Sequence, residues 1–240
     1  MRFENKYLVP SHLLPILRRK MLPFIESDQN PNSPKPGEYT VRSIYFDTRN
    51  FNFYHEKLAG LRTRKKLRLR GYNECTGNPC VFLEIKRKSN KYVTKNRAPV
   101  FWEDIHSLFH SGDVEKYIIS QEGISDSLDD GRRFFFHFFR RSLSPTILIA
   151  YNREAYYGKF DRFLRITFDK DLRSSRFPDL DDLFYEDSMV MNRQKVYRPC
   201  GYAEQTLTPH AARGRGGTSH RAWNVPLSLW EKGSRGEGHE

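Results

Sequence analysis

Three cationic side chains in the segment RKKLRLRGY are the first candidates for chemistry in this sequence. Lys66, Arg68 and Arg70 occupy alternate positions there, and leucines fill the positions between them. Because successive side chains of a β-strand point to opposite faces, a strand here would carry three cations on one face. Lysine and arginine donate charge-assisted hydrogen bonds to phosphate and carboxylate oxygens, so this stripe is suited to binding an anion.

The same alternation recurs along four other segments. They are RFENKY at residues 2–7, VFLEIKRK at 81–88, YNREAY at 151–156 and RFLRITFDKD at 162–171. If all of these are strands, one face of the sheet is rich in cations while the other is mainly apolar. The cations are Arg2, Lys6, Lys66, Arg68, Arg70, Lys86, Lys88, Arg153 and Arg165, and the carboxylates are Glu4, Glu84 and Asp169. Like charges on neighbouring strands repel each other, so the asymmetry requires a reason.

Two arrangements of this charged face are open. In the first, the face is solvated and a layer of helices covers the apolar side. In the second, the sheet curls and the cations converge on a cavity, which needs a polyanion to be stable. The sparse carboxylates would suit a divalent metal, and cations plus a metal around phosphates are typical of phosphoryl transfer. We favour the second arrangement, in which the stripe lines a phosphate-binding tunnel.

Composition agrees with an anionic partner. The 240 residues include 41 Lys and Arg against 29 Asp and Glu, a formal net charge of +12, and 14% are aromatic. That charge favours nucleic acid, a phosphate compound or an anionic membrane surface, and the aromatic content predicts a folded chain. The three cysteines form neither a disulfide framework nor a zinc pattern, and no signal peptide or membrane-spanning run is present. The sequence therefore predicts a soluble, cytoplasmic protein.

The predicted elements are strands with interspersed helices, which favours an α+β fold with a mainly antiparallel sheet or barrel. Strands are expected at 2–9, 39–48, 64–72, 81–88, 146–158 and 162–173, and helices within 11–25, 50–60, 101–112 and 132–142. The phenylalanine cluster in the last helix is apolar nearly all round, so it should be well buried. We interpret His137 within it as structural rather than catalytic.

The sequence changes character after about Met191. Residues 191–240 have no helical or strand period and are rich in Gly, Arg, Ser, Pro and His, so we predict a disordered basic tail. It holds eight Lys and Arg against four Asp and Glu, which is +4 of the total, and +8 belongs to residues 1–190. The predicted domains are therefore 1–190 and the tail 191–240.

The ordered motifs resemble a known family. The segments RFENKY, SIYFDT, KLRLRGY, VFLEIKRK, YNREAYYG and RFLRITFDKDLR follow the order and spacing of VTC-type polyphosphate polymerase domains, which are triphosphate tunnel metalloenzymes related to CYTH proteins. The resemblance covers roughly residues 1–190. It implies an antiparallel β-tunnel, barrel-like, with helices packed on the outside. It also implies metal-dependent growth of a polyphosphate chain from ATP, with release of ADP.

The resemblance implies roles for the charged face. The residues that would grip the triphosphate and the growing chain are Arg68, Arg70, Lys86, Arg153 and Arg165, with Arg2, Lys6, Lys66 and Lys88 as further substrate-binding cations. Glu4 and Glu84 would bind a divalent metal, Mn or Mg, or orient the cations, and Asp169 is a further metal candidate because of its position on the same face. The implied partners are ATP, inorganic polyphosphate and a membrane protein. Nucleic acid is disfavoured because the strands place their aromatics mostly in the apolar set.

The resemblance weakens after Met191. Family members continue with a strand carrying a Glu-x-Lys motif, a helix and a Ser-Lys-Tyr segment, whereas this chain reads NRQKVYRPCGY. The tunnel domain would then lack its usual last strand, its closing segment and a metal carboxylate. Two alternatives to a polymerase therefore stay open: a non-catalytic module that binds polyphosphate or nucleotide, and a tunnel-type triphosphatase.

Overall fold

The computed structural model describes most of the chain before residue 192. The described residues are 5, 7–28, 37–90, 92–120, 126–161, 163–185 and 189–191. The chain divides into one unit made of Met1–Arg18 and Gln194–Glu240 and another made of Arg19–Arg193. In the first unit, a 3-10 turn at Ser11–Leu13 precedes α1 (Leu14–Met21), which begins in this unit. The disorder predicted for the tail concerns positions outside the described residues, except Met191.

Antiparallel strands of the second unit form one sheet that curls into a half-barrel. The strands are β1 (Ile25–Ser27), β2 (Glu38–Asp47), β3 (Thr63–Tyr72), β4 (Cys80–Ser89), β5 (Tyr92–Phe101), β6 (Ser144–Gly158), β7 (Arg165–Arg176) and β8 (Val190–Met191). Their order is β5-β4-β3-β2-β6-β7-β8, and β1 pairs with β6. This confirms the predicted α+β class and the barrel-like antiparallel sheet.

Helices cover one face of this sheet. They are α2 (Asn52–Leu58), α3 (Ile105–Ser111), α4 (Val114–Tyr117) and α5 (Ser127–Arg140). The apolar alternates of the central strands pack against them in one core, which includes Leu67 and Leu69 of β3 and Leu83 and Ile85 of β4. We call this side of the sheet the helix-covered face. None of the described helices is long and apolar enough to cross a membrane.

Several predicted boundaries match the structure. The helix expected within 50–60 is α2, and the helix expected within 101–112 is α3. Gly112 follows α3 with φ of 71°, and its N–H donates to the Leu108 carbonyl. This left-handed conformation is the one that glycine adopts at helix ends without steric cost.

Strand β5 was not predicted, because Pro99 and four consecutive polar residues at 94–97 interrupt its apolar pattern. Proline is tolerated here because β5 lies at the edge of the described sheet, where a missing N–H need not break the ladder. The strand predicted at 2–9 is not present in its described part, since residues 5 and 7–9 lie outside any strand.

Helix α5 differs from its prediction in extent and in burial. It begins at Ser127 rather than near residue 132 and ends at Arg140. Gly131 lies inside it, where a Cβ atom would come within 2.9 Å of the Ile118 side chain, so glycine permits close packing there. The expected burial of the whole phenylalanine cluster is wrong. Phe134 is fully buried, whereas Phe136 is 55% exposed.

This contrast predicts different effects for two substitutions in one helix. Phe134→Ala should lower the free energy of unfolding by about 3–5 kcal/mol, because it leaves a cavity beneath α5. Phe136→Ala should cost much less, since its ring is largely in solvent. Urea denaturation of both variants measures the difference, and equal losses would contradict the described packing.

Candidate anion-binding face

The face of the sheet opposite the helix-covered face collects most of the cations predicted from the sequence. Residues directly opposite each other on paired strands share a face of the sheet. On β3 and β4, Lys66 lies opposite Lys86 and Arg68 lies opposite Glu84. Following these pairs from strand to strand identifies the residues on this side of the sheet, which we call the basic face. Its cations include Lys66, Arg68, Arg70, Lys86, Lys88, Lys95, Arg97, Arg153 and Arg165.

A buried carboxylate lies at the centre of the basic face. Glu84 is 1% exposed, and its Oε2 accepts from Arg68 Nε at 2.7 Å and lies 4.0 Å from Arg70 Nε. Its Oε1 is 2.7 Å from Lys95 Nζ and 3.3 Å from Arg97 Nε. One negative charge is therefore shared among four positive charges from β3 and β5. The cluster has a net positive charge, which favours binding of an anion.

The surrounding charges determine the ionisation of Glu84. Burial alone would raise the pKa of this carboxyl, because the charged form loses hydration. The nearby charges of Arg68, Arg70 and Lys95 outweigh that effect and lower the pKa of Glu84 to about 2. Glu84 is consequently ionised at every physiological pH, and it fixes the directions of the cations around it.

Aromatic rings support the arginines of the basic face. The Arg68 guanidinium donates to the Tyr45 hydroxyl at 2.9 Å. The Arg97 guanidinium lies 3.4 Å from the centroid of the Phe82 ring and donates to the Tyr72 hydroxyl at 3.2 Å. Planar guanidinium groups stack well on aromatic faces, and such contacts hold them in place. The cations are thus preorganised before any ligand arrives.

A second ion pair lies further along the basic face. Arg153 binds Asp169 in a bidentate pair, with both N–O distances at 2.7 Å, and also donates to the Tyr151 hydroxyl. The predicted Asp169 therefore lies beside the predicted Arg153. Arg165 is bound by Asp28 at 2.9 Å, outside the set that the sequence suggested.

Helix α5 positions the strand that carries Lys95 and Arg97. Asp130 lies on the helix-covered side, and its carboxylate accepts from the Arg97 backbone N–H at 2.7 Å. It also accepts from Asn96 Nδ2 at 2.6 Å. This carboxylate holds the backbone of β5 from behind while the Arg97 side chain points to the basic face.

The structure brings together some predicted residues and adds others. Lys66, Arg68, Arg70, Lys86, Glu84 and Lys88 share the centre of the basic face, and Arg153, Asp169 and Arg165 lie on the neighbouring strands. Arg2, Glu4 and Lys6 lie outside the described residues. Sequence reasoning missed Lys95 and Arg97, although these two cations occupy alternate positions of β5 on the same face as Glu84. That alternation was the available signal.

The described carboxylates do not form a metal site as they stand. Within the described ranges, no group of three or more His, Cys, Asp and Glu side chains could hold a metal ion. Glu84 is surrounded by four cations, and Asp169 is bound by Arg153. The metal role of Glu84 and Asp169 stays a prediction, and that of Glu4 concerns a residue outside the described part.

Comparisons with known proteins match most of this chain. A family model described as VTC domain matches residues 1–207. The chain is also 24% identical over 201 residues to vacuolar transporter chaperone complex subunit 4 of Trypanosoma cruzi (strain CL Brener). That match covers 72% of this chain and 25% of the relative, so the chain spans about a quarter of the relative's length.

The depressed pKa of Glu84 predicts an acid-sensitive contribution to stability. An ordinary glutamate titrates near 4.3, whereas Glu84 in the fold titrates at about 2. Its contribution, on the order of 3 kcal/mol, is present above the unfolded-state pKa and is lost as the pH falls toward 2. Urea denaturation between pH 7 and pH 3 should therefore show a steeper loss for wild type than for Glu84→Gln.

The exposed Glu103 provides the control. Glu103→Gln removes the same charge outside the basic face, so this variant should follow the wild-type pH dependence. Identical slopes for wild type and Glu84→Gln would contradict the described environment of Glu84.

Proposed function

Since this chain belongs to the VTC domain family, we propose that it moves the terminal phosphate of ATP onto a polyphosphate chain bound at the basic face. The observation that carries the proposal is the cluster in which Glu84 is shared among Arg68, Arg70, Lys95 and Arg97. A phosphate chain supplies the negative charge that this cluster lacks. Polymer and triphosphate present the same repeating oxygens, so one face serves both.

The proposed chemistry needs positioning and charge rather than a nucleophile from the protein. An oxygen on the terminal phosphate of the chain attacks the γ-phosphorus of ATP. The bond from that phosphorus to the β–γ bridging oxygen breaks, and ADP leaves. Negative charge spreads over the transferred oxygens during this step, and fixed cations stabilise it. Arg68 and Arg70 suit this role because Glu84, Tyr45 and Ser43 already fix their orientation.

Other cations of the face would bind the substrate away from the transferred phosphate. Lys66, Lys86 and Lys88 continue the stripe along β3 and β4, and Arg153 and Arg165 continue it across β6 and β7. A chain of phosphates is long enough to contact several of these positions at once. The predicted contributions of Arg2 and Lys6 belong to the same proposal.

A divalent metal, Mg or Mn, is also part of the proposal. Magnesium binds substrate phosphates with few protein carboxylates, and it commonly retains water ligands. Because Glu84 and Asp169 are already in contact with cations, such an ion would take most of its ligands from the phosphates. When bound, it would neutralise phosphate charge.

The name of the relative supports a proposal about the partners of this chain. The Trypanosoma cruzi protein is by name a subunit of a vacuolar transporter chaperone complex. We propose that this chain likewise works with other subunits, including a membrane protein, while its basic face is in the cytoplasm.

One observation favours a second candidate, a module that binds polyphosphate or nucleotide without catalysis. Glu84 and Asp169, the described carboxylates suggested for a metal, are both in contact with cations, which suits binding more than metal-assisted transfer. A tunnel-type triphosphatase would use the same cations, so analysis of the products separates it from a polymerase.

The test is incubation of the purified chain with ATP and Mn²⁺ or Mg²⁺. ADP, free phosphate and long-chain polyphosphate are measured together. We expect one ADP for each phosphate added to the polyphosphate chain. Addition of EDTA should abolish both products. Free phosphate without polymer would reassign the chain to triphosphatases. No turnover by a folded chain that still binds tripolyphosphate would establish the binding module and contradict the polymerase.

Paired substitutions connect that activity to the basic face. Arg68→Ala/Arg70→Ala should lower the rate about 100-fold or more, since a charge-assisted hydrogen bond contributes about 1.5–3 kcal/mol. Lys116→Ala/Arg132→Ala removes two exposed cations from α4 and α5 and should retain full activity. Circular dichroism of both variants checks that they are folded. Equal rates in the two variants would exclude the basic face as the site.

A further inference from the structure

A second group of basic residues lies on the helix-covered side, where the proposed function does not use it. Lys65 and Arg87 are directly opposite each other on β3 and β4, one position out of phase with the basic face. His137 and Arg140 are in the last turn of α5, and Arg141 follows it. We call these five residues the second basic cluster.

Contacts bring the two parts of this cluster together. Lys65 Nζ lies 3.2 Å from His137 Nε2, which joins the strand to the helix. Arg141 pairs with Glu56 at 3.3 Å. Among the described residues, Lys65, Arg87 and Arg140 form no ion pair with a carboxylate. The cluster therefore has more positive than negative charge within the described structure.

The titration of two members reflects this crowding. The pKa of His137 is lowered to about 4, first by burial and then by the charges of Lys65, Arg141, Arg87 and Arg140. The pKa of Lys65 is lowered by burial and by Arg141 and Arg87, although Glu56 opposes this effect. An anion bound among these groups would offset the repulsion among their positive charges.

The dipole of α5 explains part of the cluster but not all of it. The C-terminal end of a helix carries partial negative charge, which stabilises cations in its last turn. This accounts for Arg140 and Arg141. It does not account for Lys65 and Arg87, which come from strands. Lys65 contacts His137 near the helix end, and Arg87 lies directly opposite Lys65.

We propose that the second basic cluster binds a compact anion with several phosphate groups, at a site separate from the basic face. Arginine binds phosphate oxygens in bidentate pairs and lysine binds them as a point charge, so the cluster can contact several phosphates. Lys65 and His137 are half-buried between strand and helix. A small soluble anion reaches such positions more easily than a flat membrane surface does.

The first test observes His137 directly. Tripolyphosphate is titrated into the full wild-type chain at constant pH, and the imidazole ¹H and ¹⁵N signals of His137 are followed by NMR. We expect these signals to shift saturably in wild type and also in Arg68→Ala/Arg70→Ala. Unchanged His137 signals at saturating tripolyphosphate would overturn the proposal, whatever the basic face does.

The second test counts sites by calorimetric titration with tripolyphosphate. Arg87→Ala/Arg140→Ala removes two exposed cations of the cluster, and Lys116→Ala/Arg132→Ala is the matched control on nearby helices. The cluster variant should lose one binding event or bind it about tenfold more weakly, while the control keeps it. The same isotherm in both variants would overturn the proposal.

A third arm distinguishes a soluble anion from a lipid headgroup. Sedimentation is measured with vesicles that contain a lipid with a multiply phosphorylated headgroup. We expect the wild type and both variants to sediment equally weakly. Vesicle binding that is lost only in Arg87→Ala/Arg140→Ala, together with unchanged tripolyphosphate binding, would overturn the assignment to a soluble ligand.

Discussion

One buried carboxylate amid four cations is the constraint on which the basic face depends. Without Glu84, the positive charges of Arg68, Arg70, Lys95 and Arg97 would repel one another with no carboxylate between them. With it, they are held in fixed directions while a net positive charge remains. Burying a charge is costly unless partners compensate for the lost hydration, and here those partners outnumber the charge. The same interaction therefore stabilises the sheet and makes it attractive to anions.

The two faces of the sheet are linked through this arrangement. Leucines and phenylalanines bury the helix-covered face and fix the register of β3 against β4. That register brings Arg68 opposite Glu84. On the next strand, Asp130 of α5 holds the backbone of Arg97 from behind. A cation on one face is thus positioned by a carboxylate on the other, so packing of α5 and anion binding are coupled.

Much of this could be predicted from the sequence, because its signals are local. The alternation of charged and apolar residues in β3 and β4 predicted the two faces of the sheet. Gly112 predicted the end of α3. Strand β5 could not be recognised in the same way, since Pro99 and its polar residues hide the apolar period. Lys95 and Arg97 were missed with it. Glu84 was identified as a candidate, but its four neighbours come from β3 and β5, on either side of β4, and only the register brings them together.

The most direct test of the central claim is a crystal structure of the chain with tripolyphosphate bound. If the positive surplus around Glu84 binds phosphates, they will lie on the basic face within hydrogen-bonding distance of Arg68, Arg70, Lys95 or Arg97. Glu84 will still be paired with these cations. Phosphates found elsewhere, with the basic face empty at saturating tripolyphosphate, would contradict the account.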